Sequence, residues 1–292
     1  MGEDHRQRVM PWVQPRLGRQ SRQERHPVED FLFEYYPIRP SQLLRWHPGL
    51  GVGLLGEGAA EFLSWRGYRR VGDAVAADPV AWPTHRREGV AWMENLLVQT
   101  AGRPGQFGCC GLHEWAMVYQ SPGLRHAQWP LRVTNEEIER TLKSQPVVCT
   151  HYDAFRFFTD ASRPLNRFQL SRESQPLMEQ PGCLHANMDL YKWAAKLVPF
   201  VRSELVADCF ELAREIRELD MRASPYDLSA LGYRSVRIET REGRAEYETA
   251  QRDFARRAAP LRSELTDICR KILKLTVPEP PPVNFTSCDP AC

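Results

Sequence analysis

Three short clusters of histidine and carboxylate stand in the middle of the chain: Leu112-His113-Glu114-Trp115, Thr150-His151-Tyr152-Asp153 and Leu184-His185-Ala186-Asn187-Met188-Asp189. The chain has 8 histidines in 292 residues, and each of these three has an acid one, two or four positions away. Imidazole nitrogen with carboxylate oxygen is the donor set of catalytic zinc and of non-haem iron. The pattern points to a metal-dependent enzyme working on a small molecule.

Spacing suggests how each cluster would aim its donors. His151 and Asp153 lie in a segment, 145–158, whose Val147 and Val148 favour a short strand. Residues two apart on a strand share a face, so both side chains would converge on one ion. His185 and Asp189 are four apart and stack on one helix face. His113 and Glu114 are adjacent, roughly 100° apart on a helix, so one can ligate while the other moves a proton.

One ion would use His151, Asp153 and His185. A second would recruit Asp189 with His113 or Glu114. A donor set without cysteine favours Fe(II), with Zn or Mn as alternatives, and oxidative over hydrolytic chemistry. His113 and Glu114 are the catalytic candidates. Arg222 and Tyr226, in the polar stretch that leaves the 203–222 helix, are candidates for holding an anionic or amide group of the substrate, with Tyr191 beside them. Each cluster alone also fits a plainer role, as a helix-start histidine or a surface ion pair.

The elements that must position these residues are mostly helical. Val90, Met93, Leu96 and Leu97 give helical periodicity to 85–100. Thr134 and Glu137 form a capping box that opens a helix over 134–144. A helix starts near His185, an apolar stripe from Leu205 to Leu219 marks 203–222, and a last long helix runs over 243–275. Residues 26–36 read as a helix opening, with His26, Asp30 and Glu34 as helix-start charge compensation. The Gly-rich stretch 46–58 lacks a phosphate-loop order and reads as a turn or hairpin, with His47 structural. The expected fold is mainly α (α-rich α+β): a flexible basic segment at 1–25, a single helical domain with a few short strands at 26–276, and a Pro-rich flexible tail at 277–292.

Bulk composition bounds the function. Hydrophobic residues make up 42%, charged residues 26%, and the formal net charge is +2, too balanced to imply a nucleic-acid surface. No run approaches a membrane span, and the N-terminus has no secretory h-region, so a cytoplasmic location is expected. The 8 cysteines include no CxxC pair and read as free thiols in a reducing compartment.

Longer segments carry a resemblance. HPVEDFLFEYYPIRPSQLLRWHPG, HEWAMVY, THYDAFRFFT, QPGCLHANMDLYKWA and ELVADCFELAREIRELDMRASPYDL together resemble a family common in actinobacteria and usually labelled 3-methyladenine DNA glycosylase. The likeness covers most of residues 26 to 270. It implies an alternative function, a base-excision N-glycosylase that acts on DNA without metal. Trp115, Tyr119, Tyr152, Phe155 and Tyr191 could then wall a pocket for a flipped base. The Gly-rich hairpin and following Asp of helix-hairpin-helix glycosylases do not occur here, so no catalytic residue is carried over.

Overall fold

Helical periodicity dominates the described chain, residues 1–36, 38–81, 83–123 and 128–275 of a computed structural model. The helices are α1 (Gly2–Ser21), α2 (Phe31–Tyr35), α3 (Pro40–Leu43), α4 (Thr84–Ala101), α5 (Leu112–Ala116) and α6 (Asn135–Lys143). They continue with α7 (Tyr152–Phe155), α8 (Gln175–Met178), α9 (Leu184–Lys196), α10 (Ser203–Ala223) and α11 (Arg241–Leu275). The expected mainly α fold with a few short strands is what forms. Its one sheet in the described residues is antiparallel, in the order β1 (Gly53–Leu54), β3 (Ala74–Ala77), β2 (Tyr68–Val71), with Tyr68 opposite Ala77 and Gly53 opposite Ala76.

The core is built on the amphipathic helices. The stripe Leu205, Val206, Cys209, Leu212, Ala213, Ile216 and Leu219 of α10 is buried against α9 and α11, and α11 also packs on α4. On α4 the buried hydrophobic residues are Val90, Met93, Leu96 and Leu97, the face its periodicity marked. Fully burying a Leu or Ile side chain stabilises by about 1.5–3 kcal/mol, so this packing decides the arrangement. The capping box of α6 forms in full: Glu137 N donates to Thr134 Oγ1 at 3.2 Å, and Thr134 N donates to Glu137 Oε2 at 2.9 Å.

Three expectations need correction. Residues 1–25 are not a flexible segment, since 2–21 form a helix despite Pro11 and Pro15. Val9 and Val13 are fully buried, His5 Nε2 bonds the Leu43 carbonyl at 2.8 Å, and Arg16 and Arg19 clamp the buried Asp30 at 3.0 and 2.6 Å. Tertiary contacts thus outweigh a poor local propensity. Within 26–36 only Phe31–Tyr35 is helical, because His26 Nδ1 accepts from Val28 N and Glu29 N and fixes a turn there. The third correction concerns 145–158. It is not a strand: it pairs at one isolated bridge, Val147 with Asn166, and then enters α7.

The stretch 46–58 turns as expected, and Gly49 shows why. Its φ is +85°, and a Cβ there would lie 2.8 Å from Arg202 N, so only glycine fits. No helix among the described residues is long and apolar enough to cross a membrane. The expected tail, 277–292, with Cys288 and Cys292, lies outside the described residues.

Candidate metal centre

His113 is aimed by a tight entry into α5. Gly111 caps the helix at φ +76°, and a Cβ there would meet Tyr247 at 3.2 Å and Ala223 at 3.3 Å. Two residues after His113, Trp115 donates from Nε1 to the Ala223 carbonyl at 2.9 Å, fastening α5 to the end of α10. His113 Nε2 then lies 2.8 Å from Asp220 Oδ1. His185, in the first turn of α9, completes the group, its ring centroid 4.6 Å from that of His113. One donor atom from each of His113, His185 and Asp220 falls within 4.8 Å of the others, and all three residues are buried.

A second triad adjoins it. His151 Nε2 is 3.3 Å from Glu179 Oε1 and 3.4 Å from Asp189 Oδ2, again with all three residues buried. The His151 and His185 rings stack at 5.4 Å, so the two triads form one cluster. The carboxylates of this second triad are already engaged. Tyr36 donates to Asp189 Oδ1 at 2.6 Å, Lys192 Nζ reaches Asp189 Oδ2 at 2.8 Å, and Gln175 donates to Glu179 Oε1 at 2.6 Å.

Contact without hydrogen bonding distinguishes this cluster from an ordinary buried ion-pair network. His113 Nε2 and Asp220 Oδ1 are both buried and 2.8 Å apart, yet neither makes a hydrogen bond of good geometry. Neither ring nitrogen of His151 makes a hydrogen bond of good geometry either, although Nε2 contacts Glu179 and Asp189. Buried polar atoms are rarely left unsatisfied, and such exceptions call for an explanation. Two donors that converge on one ion at ~2.1 Å each, at right angles, sit about 3 Å apart without bonding each other. The His113–Asp220 pair fits that separation.

Electrostatics treat the two histidines of this triad differently. Burial opposes a charge on His113, but Asp220 and the Cys109 thiol, 3.5 Å from Nδ1, outweigh it and hold the imidazole well above its ordinary value. For His185, burial and then the neighbouring His113 push the value well below the ordinary one, which keeps the ring neutral and its lone pair free. Burial raises Glu179, whereas Asp189 resists burial and is held far down by Lys192 and His151. Asp220, also buried, is held low by His113 and then His185 and Arg217. The Arg217 guanidinium, almost fully buried over the Phe31 ring, reaches Glu114 at 3.0 Å and Asp220 at 3.4 Å.

The structure brings His113, His151, His185 and Asp189 together but redistributes them. His185 and Asp189 share a face of α9, yet four residues of rise separate them by about 6 Å, and each joins a different triad. Asp153 is outside both triads. His151 caps α7 rather than lying on a strand, so a residue two positions on turns away. Asp153 meets Lys192 at 3.1 Å, Arg156 at 3.3 Å and Arg172 at 3.4 Å. Glu114 turns to Arg217 rather than to the triad, the divergence expected of adjacent helical residues.

The substrate-binding candidates are corrected as well. Arg222 is held by the Arg234 carbonyl, Glu218 and Glu246, and lies in none of the cavities around the cluster. Tyr226 is buried at an isolated bridge with Leu131, and Tyr191 is fully buried against Phe210 and Tyr36. Packing leaves neither ring accessible to a ligand.

Sequence reasoning missed Asp220 and Glu179. Asp220 had a signal: it lies seven positions after Ala213 and four after Ile216, on the apolar stripe of α10, where a solvated acid has no place. Glu179 follows the four-residue α8 in an irregular stretch and has no periodicity to betray it.

Space around the triad is small and internal. A cavity of about 20 Å³, room for roughly one water, lies among Glu114, His185, Arg217 and Tyr35. Another of about 10 Å³ touches Cys109, His113, Cys149 and His185. Burial and then the nearby Cys109 push the Cys149 thiol up to about 12, so it is a neutral packing group. An open cleft of about 530 Å³ shares Tyr35 and Asp153 with the first cavity and leads to solvent. Compared with protein-family models, with curated proteins and with solved structures, the chain shows no match.

Proposed function

We propose that this protein is a non-haem iron oxidoreductase that acts on a small molecule, with His113, His185 and Asp220 holding the ion. One observation carries the reading: two histidines and one carboxylate, from three different helices, converge in the interior with the facing His113 and Asp220 atoms in contact. A two-histidine, one-carboxylate face with open positions is the set associated with Fe(II) oxygenases. When bound, iron at such a face supplies activation of dioxygen and one-electron chemistry. Zn or Mn can use the same donors, but the absence of thiolate from the triad favours iron.

The remaining residues hold the site ready. Arg217 keeps Asp220 charged and oriented, as carboxylate ligands require. Glu114, paired with Arg217, lines the cavity beside His185 and is placed to hold or release a proton there. His151, with neither ring nitrogen in a hydrogen bond of good geometry, is the second place in the cluster where a proton or an ion fits. Burial of the whole group keeps bulk water away and strengthens each of these contacts.

Elemental analysis of protein produced with iron and purified anaerobically tests the reading. About one equivalent of iron is expected, lost in Asp220→Asn and in His185→Ala. A second equivalent that disappears in Glu179→Gln would mark the adjacent triad as filled too. No retained metal, with stability unchanged in chelator, would overturn the proposal. So would release of methylated adenine from alkylated duplex DNA undiminished by chelator, the N-glycosylase activity that the family resemblance implies.

A further inference from the structure

The open cleft beside the cluster is unusually rich in positive charge. Its lining includes Arg86, Arg156, Arg172, Lys192 and Lys196 against one carboxylate, Asp153. That carboxylate is shared by three of the cations, at 3.1 Å from Lys192, 3.3 Å from Arg156 and 3.4 Å from Arg172. Lys196 has no carboxylate partner among the described residues and rests its Nζ 5.0 Å from the Trp193 ring centroid. Burial and then the proximity of Lys192 hold Lys196 below its ordinary value, against the opposing pull of Asp189.

The walls are aromatic. Trp92 and Trp193 meet edge to face at 5.7 Å, and Tyr35 and Tyr36, also in the lining, do so at 5.0 Å. A volume of about 530 Å³ suits one small ligand with a ring system and is far too small for a duplex. Flat apolar walls recognise a ring face, and clustered Arg and Lys recognise carboxylate or phosphate oxygens.

We infer that this cleft is the substrate site and that it takes a planar aromatic anion, a ring carrying a carboxylate or a phosphate monoester. The identification of that ligand as substrate rests on the iron reading above; its binding does not. The cleft floor joins the cluster directly. Lys192 contacts both Asp153 in the cleft and Asp189 in the second triad, and Tyr35 and Asp153 also line the small cavity that reaches His185 and Glu114. An anion drawn to Lys192 and Arg172 would therefore lie over the route to the proposed iron ligands.

Isothermal titration calorimetry with 2-naphthoate, 2-naphthyl phosphate and neutral 2-naphthamide tests this, on full-length protein with iron and again in chelator. At least one of the two anions should bind tenfold or more tightly than the amide, and the tighter of the two identifies the preferred charged group. Arg172→Gln combined with Lys196→Gln should weaken the anion at least tenfold and the amide less than twofold. Equal binding of anion and amide, or an unchanged affinity in the double variant, would overturn the inference. Anion selectivity in a protein that retains no iron would remove the iron reading and leave the cleft assigned. Iron retention without anion selectivity would do the reverse.

Discussion

Tyr36 donates its hydroxyl to Asp189 Oδ1 at 2.6 Å, across 153 positions of sequence. The bond ties the segment after α2 to the middle of α9 in a fully buried setting, and it engages one oxygen of an acid whose other oxygen faces Lys192. Replacing Tyr36 by Phe leaves that carboxylate oxygen without its donor. Urea denaturation should show a loss of about 1–3 kcal/mol with an unchanged slope. An unchanged midpoint would mean that the bond contributes nothing to the fold.

Arg217 is the more severe test of the cluster. Its guanidinium serves Glu114 and Asp220 at once, so Arg217→Met takes one cation from two buried acids. Breaking a buried pair in this way typically costs about 3–5 kcal/mol. Adding Glu114→Gln removes one of the two acidic charges and should recover part of that loss. A denaturation midpoint that falls further in the double variant would contradict this account.

The first helix gives a prediction opposite to the one its composition invites. Val13 is fully buried, so Val13→Ala should destabilise by roughly 2 kcal/mol. A thermal melt insensitive to this change would show that the segment is loose, as its prolines and charges first suggest.

A pH effect should arise far from the cluster. His47 donates its backbone N–H to Ser203 Oγ and sets Nδ1 2.9 Å from the Tyr68 hydroxyl. Burial, then the nearby Arg45, push its value down to about 4 from the ordinary 6.5. The folded protein therefore keeps the ring neutral where the unfolded chain binds a proton. This contribution is fully present above pH 6.5 and falls as pH drops toward 4, where the folded ring protonates too. Its full size is at most about 3 kcal/mol by linkage. His47→Gln should flatten the stability profile between these pH values, and a slope identical to the parent would refute the assignment.

Much of this was legible in the chain. The periodicities of α4 and α10, the Arg-, Glu- and Ala-rich composition of α11 and the Thr134 cap predicted their elements because each depends on neighbours within a few positions. The three clustered histidines were legible as types, and all three enter the cluster. Their partners were not. His151 and Asp153 looked convergent only if 145–158 were a strand, whereas the chain turns into α7 and sends Asp153 to the cations of the cleft. The helical fate of residues 2–21 was hidden for a similar reason: Arg16 and Arg19 need Asp30, and nothing local announces that the acid is buried.

Each triad draws its donors from three separate elements: α5, α9 and α10 for one, and the edges of α7 and α8 with α9 for the other. No single helix or turn supplies two donors to the same triad. A nascent or partly opened chain consequently holds neither triad, and on the proposed reading ion uptake would follow long-range closure rather than seed it. Loading would then act on the finished fold by mass action, raising the melting temperature with free metal concentration. Any sub-global opening that parts α5 from α10 would release the ion and leave most of the helices intact.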